Sequence, residues 1–214
     1  MTIAPAVLTD RFVHSYLFLR RAIGIIGMAL PFALVLGVLV TSGTVLSSIS
    51  GYYYSDLRNV FVGCMCAVGV FLIFYRGAAL IDDIASLVAG VAAVGVALFP
   101  TRPAGTPTDG QKIVGYVHIG CAAVFFLTLA FIAIKVFTRR GDSPDPQRKD
   151  VRNRIYVACG VVILACILLM VITCWLLEST FTALHPALVL ESVAILAFGV
   201  SWMVKGQTLW RDRV

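Results

Sequence analysis

The sequence predicts an all-α, polytopic membrane protein, a bundle of six transmembrane helices with both termini cytoplasmic. Three observations carry this. The chain of 214 residues is 60% hydrophobic and only 13% charged, with a mean hydropathy of +0.95, where a soluble domain averages about 25% charged residues. Its apolar residues come in long blocks, not in the period-2 alternation of an outer-membrane barrel. The basic residues that make the net charge +6 sit at the ends of those blocks. That is a topology signal and not a nucleic-acid surface, and no nucleic-acid partner is expected.

Residues 1–21 read as an N-terminal interfacial segment. Its DRFVHSYLFLRR stretch carries Phe12, Tyr16 and Leu19 among basic residues, a pattern that suits a short helix at the membrane surface. His14 has no second ligand spaced around it and reads as an interfacial histidine. The first span is expected over residues 22–45. It is long and lacks a small-x-small cleavage site, so it is expected to be retained. Pro31 should kink it, and Gly24 and Gly27 allow a close helix approach.

Residues 47–59, SSISGYYYSDLRN, are rich in hydroxyls and aromatics. Tyr52, Tyr53 and Tyr54 read either as an aromatic belt or as a cap over a pocket, with Asp56 beside them. The second span, 60–75, is short and ends at Arg76-Gly77. The third, 79–99, opens on Asp82-Asp83. Asp82 shares a helix face with Ala85, Ser86, Ala89, Ala93 and Ala97, a small-residue stripe that places it toward the bundle. It reads as a structural partner of Arg76 or Lys205, or as a proton or ion site.

A Pro/Gly/Thr-rich loop, PTRPAGTPTDGQK, leads to the fourth span, 113–137, which carries His118. Residues 138–154 form the one strongly charged loop, expected to be cytoplasmic and headgroup-binding. The fifth span, 155–176, ends in Trp175. The turn ESTFTALHP leads to the sixth, 186–205, which holds Glu191 in its apolar run and ends in Trp202 and Lys205. Residues 207–214 are a cytoplasmic tail.

An N-inside arrangement puts fourteen of the seventeen Lys and Arg on the cytoplasmic side and leaves Arg58, Arg102 and Lys112 outside. This selects an inner (plasma) membrane protein with both termini inside. It also sorts the polar residues. Ser50, Tyr52, Tyr53, Tyr54, Asp56, His118 and Glu191 fall on the outer side, with His185 just beyond. Asp82, Trp202 and Lys205 fall on the inner side. Glu191 and His118 lie at similar depth, roughly 8 Å into their spans at 1.5 Å per residue.

The six cysteines, Cys64, Cys66, Cys121, Cys159, Cys166 and Cys174, all fall inside apolar blocks, where a thiol acts as a small hydrophobe. Cys64 and Cys66 point roughly 200° apart on a helix of about 3.6 residues per turn. No soluble-enzyme signature is present: no G-x-S-x-G, P-loop, dinucleotide glycine pattern or H-E-x-x-H. The spans show no clear internal repeat of the kind inverted-repeat transporters carry.

The order S-x-S-G-Y-Y-Y-x-D (48–56), FVG (61–63), Asp82, ALFP (97–100), His118 and E-x6-FG-x-SW-x2-KG (191–206) resembles a family of uncharacterised bacterial six-span membrane proteins. The resemblance covers most of the chain and implies no particular activity. More distantly, the chain is similar to the membrane hydrolase superfamily of alkaline ceramidases and progestin/adipoQ receptors. Those proteins set a Ser, an Asp and several His around zinc, which would cast Ser50, Asp82 and His118 in part of that role. The chain departs from the pattern in its last span, which lacks H-x3-H, and at Tyr54, which stands where a histidine would be wanted. Zinc would then need ligands from His118, Glu191, His185 and Asp56.

An ionisable residue inside a membrane is expensive and marks a candidate site. The leading expectation is an outward-facing polar pocket that binds or processes a lipid or small amphiphile, in the manner of a membrane-embedded hydrolase. His118 would act there as general base or ligand, Glu191 as acid, base or ligand, and Ser50 with the tyrosines would hold the headgroup. Two alternatives stand beside it. One is a proton-coupled small-solute transporter using Glu191 and Asp82. The other is a non-catalytic scaffold or accessory subunit, with membrane lipids, another membrane protein or a second copy as its partner.

Overall fold

A computed structural model describes residues 5–139, 145–173 and 185–208, and the side chains from Ser15 onward. Cys174, Trp175, most of the turn before the last helix, the centre of the basic loop, residues 209–214 and the side chain of His14 lie outside the described residues. No strand occurs among the described residues. Long apolar blocks without water must satisfy their own backbone groups, and helices do so within the segment.

Helix α1 (Pro5–Thr41) is continuous through 37 residues and contains Pro31. The surface segment and the first span are therefore one helix, because no breaker separates them. A 3-10 turn (Ser50–Tyr54) precedes α2 (Arg58–Phe74), and α3 (Leu80–Leu98) follows. Helix α4 (Asp109–Phe131) starts at a capping box. Thr108 Oγ1 accepts Gln111 N–H at 3.4 Å, and Gln111 Oε1 accepts Thr108 N–H at 2.9 Å. It continues through a π-helical turn, Ile132–Val136.

Helix α5 (Pro146–Val171) starts earlier than the apolar pattern indicates. Asp145 caps it by accepting Arg148 N–H at 3.1 Å, with Pro146 at the first helical position. The Asp-Pro pair is the local signal, and it converts much of the expected basic loop into helix. Helix α6 (Pro186–Lys205) completes the chain.

Five of these helices are long and apolar enough to cross a membrane; α2 is apolar but shorter. Its 17 residues span roughly 25 Å at 1.5 Å each, against about 30 Å for a hydrocarbon core. Large apolar side chains cover the outside of the bundle as well, with Phe32, Phe74, Leu80, Val91 and Leu168 exposed. That marks a multi-pass membrane protein and not a soluble bundle.

Each helix packs on the next, and α6 closes against α1, so the six form a ring in sequence order. Glycines set the closest approaches. A Cβ on Gly199 of α6 would meet Gly24 O at 3.0 Å, and one on Gly90 of α3 would meet Gly69 O of α2 at 2.6 Å. The bundle has two ends, named below by the residues α6 places there, the Glu191 end and the Lys205 end.

Between them runs an aromatic column. Phe125 meets Phe198 at 6.1 Å between centroids, Phe198 meets Trp202 at 6.1 Å, and Trp202 meets Phe137 at 5.2 Å and Tyr75 at 5.0 Å. Gly27 makes room for the Phe198 ring, since a Cβ there would lie 2.8 Å from Cε1.

Candidate functional site

The Glu191 end is built by three segments far apart in sequence. The connection after α1 runs into the 3-10 turn, whose first N–H groups have no partner within the turn. Glu191 supplies one. Its Oε2 accepts the N–H of Ile49 at 2.5 Å and of Ser50 at 3.3 Å, and its Oε1 accepts Ser50 Oγ at 3.3 Å. One turn earlier on α6, Leu188 N–H donates to Ser47 O at 2.9 Å. The α6 N-terminus and the segment 47–50 therefore interlock. The carboxylate, half-buried among apolar helices, caps a turn whose first N–H groups would otherwise lack a partner.

His118 reaches the same place from α4. It is 4% exposed, and its Nδ1 lies 2.7 Å from the carbonyl oxygen of Phe99. Helix α3 ends just before Pro100, which cannot continue it, so the Phe99 carbonyl is free to accept. A carbonyl only accepts, so Nδ1 carries the proton. Nε2 is then the basic nitrogen of the neutral ring.

Ser50, His118 and Glu191 line one cavity of about 30 Å³, closed otherwise by apolar side chains including Met65, Ala122, Phe125 and Ile195. A space that size holds on the order of two water molecules. No direct hydrogen bond joins His118 to Glu191; both line the same cavity. Helices α4 and α6 flank α5 in the ring and barely touch each other, so the cavity is what brings the two residues into one site.

The other sequence candidates lie elsewhere. Tyr52 is fully buried behind the 3-10 turn, and burial pushes its phenol above the ordinary value, the Leu46 backbone offsetting part of this. Tyr53 bonds the guanidinium of Arg58, which also stacks 4.2 Å over its ring. Tyr54 donates to Thr101 O at 2.7 Å and ties the turn to the α3–α4 connection. Asp56 is exposed. The three tyrosines therefore brace the cap and do not line the cavity.

Asp82 and Trp202 belong to the Lys205 end. Asp82 is 4% exposed and pairs with Arg139 at 2.7 Å. It also accepts the N–H groups of Ala78 (3.1 Å) and Ala79 (3.2 Å), while Asp83 accepts that of Gly77 at 2.7 Å. Of the expected partners, Lys205 feels the Asp82 charge without forming the ion pair, and Arg76 donates to the carbonyls of Ile73 and Tyr75 instead. The π-helical turn that ends α4 carries the chain on to Arg139, a partner that spacing alone could not indicate.

The division bears on zinc. The Ser50, Asp82 and His118 set is split between the two ends, and Glu191 already accepts three donors. No group of three His, Cys, Asp or Glu side chains converges among the described residues. A catalytic zinc needs about three protein ligands, so these residues do not fit one. Comparison of the chain with protein-family models, curated proteins and solved structures finds no match, and the site stands on its own geometry.

Proposed function

We propose that the chain is a six-span protein of the inner membrane with both termini cytoplasmic, so that the Glu191 end faces outward. The charge distribution supports this orientation. Arg20, Arg21, Arg76, Arg139, Lys149, Arg152 and Lys205 gather at the Lys205 end, and positive residues favour the cytoplasmic side.

The cavity is then an outward pocket for the polar group of a lipid or small amphiphile. His118 is its general base, and Ser50 and Glu191 hold the lid-like turn over it. One observation carries the reading: three polar side chains from distant segments meet around one small, otherwise apolar cavity, with the His118 tautomer fixed by Phe99 O. A histidine so oriented in a dry site suits proton transfer to or from a water or hydroxyl held there.

The test is lipid analysis of the purified protein beside its His118→Gln and Glu191→Gln variants, together with hydrolysis of short-chain ester and amide lipids. His118→Gln is expected to abolish turnover while retaining the fold. Identical lipid content and turnover in wild type and His118→Gln would dismiss the reading.

A second reading draws on Glu191 alone. Its carboxylate is engaged by the capping turn, which is what a structural acid in a scaffold or accessory subunit would show. That reading expects a second membrane protein to co-purify, and expects His118→Gln to change nothing.

A further inference from the structure

A second hollow lies on the outside of the bundle, between α3 and α4. Its floor is made of small side chains, Ala92 and Gly95 of α3 and Cys121 of α4, the first two of them buried. Its walls are branched and exposed, with Val91 and Leu98 on one side and Val117 and Val124 on the other. No charged or hydroxyl side chain lines it. The trough measures about 560 Å³, within the roughly 300–1,000 Å³ of small-molecule sites.

Gly120 keeps it open. This residue sits in the middle of α4, is exposed, and a Cβ there would meet nothing within 4 Å among the described residues. Glycine costs a helix interior about 1 kcal/mol relative to alanine, and here no close approach of another helix accounts for it. From Val88 to Leu98 the trough follows α3 for roughly 15 Å at 1.5 Å per residue. That is about half of a 30 Å hydrocarbon core, the depth of one leaflet.

The end toward the α3–α4 connection carries charge. Phe99 lies at that end. Three positions on, Arg102 lays its guanidinium 4.2 Å over the ring of Tyr116, one turn above Gly120 on α4. Gly115 leaves room for this arrangement, since a Cβ on it would meet Arg102 Cγ. Lys112, one turn farther along, is paired with Asp109 at 2.8 Å.

We propose that the trough holds one acyl chain of a phospholipid, with the phosphate at Arg102. A chain laid between two walls gains dispersion contacts on three sides, where a flat helix surface offers one. A guanidinium matches a phosphate through paired N–H donors. The charge sits one leaflet's depth from the far end of the trough, the separation between a headgroup and the tip of its own chain. A second copy of this protein fits less well. Membrane helices pair through small residues at their surfaces, and here the small residues lie beneath walls of Val and Leu. The trough is separate from the His118 cavity, because α3 and α4 meet between them: a Cβ on Gly95 would lie 2.5 Å from Cys121 Sγ. The site therefore stands whether or not His118 performs chemistry.

The test is native mass spectrometry of the full chain in neutral detergent. It is titrated with palmitoyl lysophosphatidylglycerol and, separately, with monopalmitoyl glycerol, which has the same chain and no phosphate. Gly120→Leu fills the trough and is expected to weaken both ligands about tenfold or more. Arg102→Gln keeps the Cγ that packs on Gly115. It should weaken the lysophospholipid about tenfold, one charge-assisted contact being lost, and leave monopalmitoyl glycerol unchanged. Gly63→Leu, on the exposed face of α2 and also with open space at its Cβ, should change neither.

Wild-type binding in Gly120→Leu, or an equal loss in Gly63→Leu, would overturn the proposal. A dimer that Gly120→Leu dissolves would assign the trough to a second copy instead. Should Gly120→Leu fail to fold, the exposed Arg102→Gln change carries the test through the contrast between the two ligands, and an equal effect on both would sink it.

Discussion

Glu191 accepts the backbone N–H of Ile49 at 2.5 Å, across 142 positions of sequence. Ser50 adds its own N–H and its hydroxyl to the same carboxylate. The acid is thus the helix cap of a turn that belongs to another part of the chain. Replacing it with glutamine keeps one acceptor oxygen but turns an amide NH2 toward donors. Glu191→Gln is expected to lower stability by about 1–3 kcal/mol, and Ser50→Ala by about 1 kcal/mol. Thermal unfolding in detergent measures both. The two losses should be less than additive, because both variants break the same contact; strict additivity would show that the cap is not shared.

The cavity itself can be tested without touching a polar residue. Ala122 lines it from α4, beside His118. Ala122→Val adds two carbons to a space of about 30 Å³, enough to displace the water that proton transfer at His118 would use. The expected outcome is a protein as stable as wild type to within about 1 kcal/mol, since filled cavities rarely cost stability. Its lipid turnover should nonetheless be lost. Activity at the wild-type level with the cavity filled would separate His118 from any chemistry there.

Much of this was legible in the residues. Apolar blocks gave the helices, because a membrane-buried backbone has few other ways to satisfy itself. The intramembrane acid pointed to a site, and the depth of His118 matched that of Glu191. The Asp82 stripe of small residues lies on the buried face of α3. Partner identity was less legible. Arg139 reaches Asp82 from the end of α4, 57 positions away in sequence, and Ile49 reaches Glu191 through backbone N–H groups that no side-chain spacing encodes. The tyrosines read as an aromatic belt or as a cap over a pocket; Tyr53 and Tyr54 hold Arg58 and Thr101 and none of the three lines the cavity, a distinction that composition does not carry. The ring order of the helices has no signature in a single sequence.

A relay of protons from Glu191 to Asp82 would have to pass the aromatic column. Phe125, Phe198, Trp202 and Phe137 are all buried and offer no chain of polar groups. Asp82 instead stabilises the turn before α3 and holds Arg139. Arg139 is 44% exposed by side chain, so solvent screens the pair and the backbone contacts carry most of the loss. Asp82→Asn is expected to cost about 1–2 kcal/mol in unfolding free energy. Proton-coupled uptake in proteoliposomes should not depend on it. A flux that disappears with Asp82→Asn would restore the transporter reading and require the column to open.

The ring closes only where backbones approach one another, and glycines decide where that happens. A Cβ on Gly90 would lie 2.6 Å from Gly69 O and 2.8 Å from Ile73 N, both backbone atoms that cannot rotate away. Gly90→Ala must therefore push α3 from α2, at an expected cost of about 1–3 kcal/mol. Gly63, on the same α2, has nothing within 4 Å of its Cβ position. Gly63→Ala should be neutral or stabilising by up to about 1 kcal/mol through helix propensity. Tm values for the two variants make the comparison, each serving as the other's control for the change from glycine to alanine. Equal effects would mean that α2 and α3 do not pack through Gly69 and Gly90. Because α3 also carries the Phe99 carbonyl that orients His118, the Gly90→Ala shift should reach the cavity as well and lower any His118-dependent activity.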